Sequence, residues 1–163
     1  MKMMRKLMLG AACAAVLYGV WQVSQPPQIE AVHQLSGRPH LILVRHFPLT
    51  RQGKIDWWDR NQVTLKSQYG IPAPYPNGNF SVTVMEWDGN YRVDPGRDAS
   101  FFEDAIDLLC FEDMSPPTNC IAKKPVMHVS SFDGERMRFA VDGPTGWATY
   151  IREPGSDELK LRR

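Results

Sequence analysis

Apolar and polar residues alternate with a rhythm that changes several times along this chain. Residues 7–23 form an unbroken uncharged run of seventeen, mostly apolar. Two strand-like stretches follow, 29–34 and 41–47, separated by the turn-forming Ser36-Gly37-Arg38-Pro39. The spacing over 50–70 predicts a helix, with Thr50 as N-cap, Gly70 just past its end and Pro72 barring continuation. At about 100° per residue, Ile55, Trp58, Leu65 and Tyr69 gather on one face of it. Trp57 falls instead with Asn61, Thr64 and Gln68, on the polar side. It is expected either to be covered by a loop such as 71–79 or to anchor a protein partner, as exposed Trp does at interface centres. Residues 80–87 alternate like a half-buried strand, and Tyr91 and Val93 follow a turn. The stretch 94–107 reads as loop with a helical turn, before a strand near 108–111. The last third is rhythmically β: 126–131, 136–141, 147–153 and 158–163, divided by Asp133-Gly134, Asp142-Gly143 and Gly155-Ser156.

The fold class expected is α+β: an N-terminal transmembrane helix, then a small antiparallel β-sheet domain with one main packed α-helix. Seventeen uncharged, mostly apolar residues make about 25 Å of helix, and snorkelling of Arg5 and Lys6 extends this toward the ~30 Å hydrocarbon core. A cleaved signal would want a small-residue site after the apolar run, but Ala12-Cys13-Ala14 falls in its middle. A lipoprotein signal would want a branched apolar residue where Gly10 stands. Tyr18 and Trp21 suit the far membrane interface, so an uncleaved anchor over residues 1–24 is the reading adopted. Lys2, Arg5 and Lys6 orient the N-terminus to the cytoplasm, leaving residues 25–163 as a periplasmic domain on the inner membrane.

Charge and cysteine content sharpen that picture. Three of the nineteen basic residues precede Glu30, the first acid, leaving sixteen against eighteen and a net −2. A slightly acidic domain is a poor partner for nucleic acid. Five Trp, seven Phe and five Tyr supply material for a core. In an oxidising compartment Cys110 and Cys120 are expected to pair. There is no Cys-x-x-Cys, and His128 is the only histidine near enough to complete a zinc site. Ser115-Pro116-Pro117-Thr118-Asn119 lets the ends meet. Cys13, inside the membrane, stays unpaired.

Several segments carry a family resemblance. "HFPLTRQGKIDWWDRNQVTLKSQYGIPAP", "GNFSVTV" and "LCFEDM…NCI" resemble the enterobacterial membrane protein family catalogued as domain of unknown function 943. The Gly-Lys-Ile-x-Trp-Trp run and the paired-cysteine segment are its most specific parts. The resemblance covers nearly the whole chain and implies a bacterial envelope protein. It implies no activity and brings no catalytic residues.

Catalytic signatures are absent: no phosphate loop, no His-Glu-x-x-His, no Gly-x-Ser-x-Gly. No cofactor is implied. His33, His40 and His46 lie on two different strands at intervals that favour ordinary surface histidines over a metal site. Glu103, Asp104, Asp107, Glu112 and Asp113 form an acidic cluster without the alternation of a calcium loop. The cluster reads as a solvated face, and with Trp57 as the candidate surface for a protein partner. The function expected is therefore non-enzymatic: a membrane-anchored periplasmic protein-binding module, such as an immunity protein against a delivered toxin or an accessory envelope subunit. A small envelope hydrolase is the alternative, requiring a cleft with a carboxylate of raised pKa.

Overall fold

Polar punctuation places the elements where the chain turns, and burial decides which strands are central. The computed structural model describes residues 18–19, 25–34, 40–93, 107–132 and 135–162. The strands are β1 (Gln28–His33), β2 (His40–Arg45), β3 (Ser81–Glu86), β4 (Arg92–Val93), β5 (Leu108–Cys110), β6 (Thr118–Ala122), β7 (Pro125–Phe132), β8 (Arg136–Val141), β9 (Ala148–Arg152) and β10 (Leu159–Arg162). One long helix, α1 (Arg51–Tyr69), lies between β2 and β3. The expected anchor, 7–23, lies outside the described residues except for Tyr18 and Gly19. Among the described residues no helix is long and apolar enough to cross a membrane.

The domain is mostly β. Seven strands form one sheet in the order β1-β2-β3-β7-β8-β9-β10, and β4-β6-β5 form a second. The expectation of a wholly antiparallel sheet needs correction, because β2 and β3 pair in parallel, Ile42 opposite Val84. Helix α1 causes this: it carries the chain back along the sheet, so that β3 sets out from the same end as β2. The remaining neighbours in the large sheet are antiparallel. Consequently β1, β7 and β9 start, and β2, β3, β8 and β10 finish, at one end of that sheet, called here the Gln28 end.

Helix α1 begins and ends as its sequence dictates. The Thr50 hydroxyl accepts from the Gly53 amide at 3.0 Å, and Gly70 closes the helix in the left-handed region at φ 68°. Its inner side meets Ile42, Val44, Val82, Val84, Val129, Phe139 and Val141. The second sheet covers the other face of β2 and β3, where Leu41, Leu43 and Met85 pack on Phe111 and Ile121. Strand β3 is thus buried on both faces at its centre, not half-buried as its alternation suggested. Such a strand tolerates an apolar run, and Leu41-Ile42-Leu43-Val44 in β2 is one. Asp59 on α1 receives both Arg152 guanidinium N–H groups at 2.8 Å, tying the helix to β9.

Trp57 is corrected outright as a partner anchor. It is only 3% exposed and belongs to the main core. The turn after β2, with His46 at φ 55°, folds Phe47 edge-on against the indole at 4.9 Å between ring centres. The buried sector of α1 therefore includes Lys54 and Trp57 beside Ile55, Trp58 and Leu65. A helix packed only on a flat sheet would bury a narrower stripe; the Phe47 turn adds a second wall.

Candidate functional site

The paired-cysteine segment folds into a tight hairpin. Cys110 and Cys120 are direct cross-strand partners on β5 and β6, at disulfide distance with their Cα atoms 3.9 Å apart. Next to them the Phe111 amide donates to the Asn119 carbonyl at 2.9 Å. The Asn119 side-chain amide returns a bond to the Phe111 carbonyl, also at 2.9 Å. Both backbone polar groups of Phe111 and the carbonyl of Asn119 are thereby tied at the neck of the hairpin. Beyond the neck, Glu112, Asp113, Ser115, Pro116, Pro117 and Thr118 are exposed.

Beneath this tip lies a polar cluster that the sequence did not announce. His33, at the end of β1, is 6% exposed, which corrects its reading as a surface histidine. Its ring stacks on Phe111 at 3.7 Å between centres. The carboxylate of Asp113 can only accept, so Nδ1–H of His33 donates to it, at 3.1 Å. In neutral His33, Nε2 then accepts from the Tyr91 hydroxyl at 3.2 Å. Burial, followed by the Asp113 charge, pushes the Tyr91 phenol above its ordinary 10. One of the five predicted acids therefore props the hairpin from below.

The other acids scatter. Glu112 stands exposed on the tip. Asp107 pairs with Lys123 at 3.1 Å near the opposite end of β5, and Glu103 and Asp104 lie outside the described residues. Strand β6 runs from the tip to Ala122, and Lys123-Lys124 leads into β7 at the Gln28 end. The tip therefore points away from the place where β1 begins.

A second feature that the sequence did not flag is Lys54, 5% exposed in α1. Its Nζ donates to the Asp142 carbonyl at 3.0 Å and lies 6.0 Å from the Phe47 ring centre. Desolvation lowers its pKa below 10.5, partly opposed by Asp142 and Glu86. Lys54 lines a groove of ≈ 420 Å³ with Glu86, Lys124 and Asp142. Among the described residues no three His, Cys, Asp or Glu side chains are placed to hold a metal ion.

The sequence profile of one family, described as "Enterobacterial putative membrane protein (DUF943)", matches residues 2–156. The chain belongs to this family. The match takes in the stapled hairpin, α1 and all but the last strand, so the features above belong to the family domain. No curated protein and no solved structure matches the chain.

Proposed function

We propose that this enterobacterial membrane protein is an anchored periplasmic binding module, non-enzymatic, whose N-terminus is cytoplasmic and whose stapled hairpin captures a protein partner. The observation that carries the proposal is the tip itself. Exposed Glu112, Asp113 and residues 115–118 sit on a neck held by Cys110–Cys120, the paired Phe111–Asn119 bonds and the His33–Asp113 contact. A loop already held in one shape loses little conformational freedom when it binds, so more of its contact energy appears as affinity. The acid at its edge, Glu112, favours a partner with a basic patch. An immunity protein against a delivered toxin, or an accessory subunit of an envelope complex, would use such a surface.

The test is site-specific photo-crosslinking in the producing bacterium, with the probe at Glu112, at Ser115, or at the exposed helix position Val63. A discrete adduct from the first two, absent from Val63, is expected. Adducts from none, or equally from all three, would remove the proposal. Alkaline phosphatase joined after Arg163 should be active if the domain is periplasmic, and an inactive fusion would refute that topology.

One observation favours the second reading, a small envelope hydrolase. Asp113, His33 and Tyr91 stand in the order orienter, base, hydroxyl. Against it, burial raises the phenol pKa and so opposes activation of Tyr91. Turnover of chromogenic esters or phosphodiesters by the wild type, lost in Tyr91→Phe, would replace the binding module by the enzyme.

A further inference from the structure

Large exposed apolar side chains are few among the described residues, and two of those on turns share one end of the fold, where Leu161 of β10 also lies. Leu49, on the turn after β2, is 69% exposed, and Trp147, just before β9, is 47% exposed. Strand β2 finishes and β9 starts at the Gln28 end. The two turns are bound to each other, since Arg51 donates to the Thr145 hydroxyl at 2.9 Å and to the Gly146 carbonyl. Gln25 and Pro27, the residues just before β1, line the same groove as Leu49, a space of ≈ 540 Å³. The chain thus reaches the domain beside Leu49.

This geometry becomes informative once the connection is measured. If 7–23 sits in the bilayer, as the proposed function requires, only residues 24–27 separate it from β1. Two of the four are proline, and at ~3.1–3.5 Å per residue they span at most about 12–14 Å. The headgroup layer occupies roughly 5–8 Å of that distance. The Gln28 end is therefore held close to the membrane surface, with Leu49 beside the point of entry and Trp147 farther along the same end of the sheet.

We infer that Leu49 and Trp147 dock this end of the domain onto the bilayer, setting it upright with the stapled hairpin directed outward. Trp favours the headgroup region, where its ring is accommodated and its N–H stays hydrated. Arg162, which closes β10 at this end, is exposed, but the other basic residues here do not add to an anion-seeking patch. Arg45 pairs with Glu30, Lys123 with Asp107 and Lys124 with Glu86, and Arg51 donates to Thr145 and Gly146. Docking is accordingly apolar, and it depends little on the fraction of anionic lipid or on salt.

This inference rests on the anchored reading, and the experiment separates the two. In a Cys13→Ser background, the full chain carries an environment-sensitive fluorophore through Leu49→Cys, Trp147→Cys or Glu158→Cys. Glu158 lies between β9 and β10, at the opposite end from Gln28. Each protein is reconstituted into phosphatidylethanolamine vesicles containing a minor fraction of phosphatidylglycerol. Labels at 49 and 147 should show blue-shifted emission quenched by spin-labelled lipid, while the label at 158 stays accessible to aqueous iodide. If the chain floats with the vesicles but positions 49 and 147 report water, docking is overturned and the anchor stands. If the chain does not float, both fall. A blue shift that appears without lipid and grows with protein concentration would assign the patch to a second copy, and would also overturn docking. Neither side chain belongs to a core cluster, although Trp147 stacks on His128, so their replacement leaves the core intact, and circular dichroism of each labelled protein confirms it.

Discussion

Replacing Trp57 by alanine gives the sharpest test of how α1 packs. An indole buries about 150–250 Å², which at ~25 cal/mol per Å² corresponds to about 4–6 kcal/mol as an upper bound. At 3% exposure nearly all of that area is removed from water. Alanine keeps a little of it and is the better helix former, returning at most ~0.7 kcal/mol. The edge-on contact with Phe47 is lost as well, costing about 0.5–1.5 kcal/mol. A net destabilisation of about 3–4 kcal/mol follows, within the range of large-to-small aromatic substitutions. Typical domains have 5–15 kcal/mol in total, so the variant should remain folded yet melt about 10 °C lower. Urea denaturation followed by far-UV circular dichroism measures the change, with Val63→Ala as control. Val63 is 80% exposed on the same helix, and its truncation should stay within about 0.5 kcal/mol. If Trp57→Ala behaved like Val63→Ala, the Phe47 turn would not cover the helix in solution, and the wide buried sector of α1 would be wrong.

Four further outcomes are expected. Serine at both Cys110 and Cys120 should lower stability by on the order of 3 kcal/mol, the loop-closure value for so short a ring, seen as a lower urea midpoint. Gly53→Ala should fail to give the usual ~1 kcal/mol gain of alanine in a helix, because its Cβ would approach the Thr50 capping oxygen to 2.8 Å; a higher melting temperature would refute this. Asp59→Asn should cost about 1–2 kcal/mol by thermal melting, since it weakens the two-bond contact to Arg152. Burial holds His40 and His128 below the ordinary 6.5, so acid protonates the unfolded chain first. Their contribution to stability is full above about pH 6.5 and is lost as pH falls through it toward the folded values. A urea midpoint that falls on acidification, less steeply in His128→Gln, is the expected result.

Strand positions were legible because Asp-Gly and Gly-Ser pairs mark the turns between short alternating runs, a purely local signal. The helix limits at Thr50 and Gly70 were legible for the same reason, as were Trp58 and Leu65 on its buried face. The parallel pairing of β2 with β3 was not, since it depends on which side of β2 the chain returns to after α1. Trp57 was misplaced because helical periodicity describes one packing surface, whereas Phe47 supplies another from outside the helix. The His33–Asp113 contact joins residues 80 positions apart, through the docking of the second sheet on the first. No pattern within either segment encodes such a meeting. Of the predicted site residues, Cys110, Cys120, Glu112 and Asp113 do converge on one hairpin, and Asp107 stands at its far end.

The two outermost strands of the large sheet, β1 and β10, have a bearing on life in a crowded membrane. If the chain is tethered as proposed, its copies all stand the same way up, and in that arrangement the β1 of one molecule runs antiparallel to the β10 of a neighbour. Lateral pairing would therefore be geometrically permitted and would extend into ribbons lying in the plane of the bilayer. Two details work against it. Strand β10 is only four residues long and carries Lys160 and Arg162, both exposed. Strand β1 breaks its register between Ile29 and Ala31, so it offers no straight run of backbone groups to a partner. Short length, positive charge and a bulge would thus oppose lateral pairing wherever diffusion is confined to two dimensions.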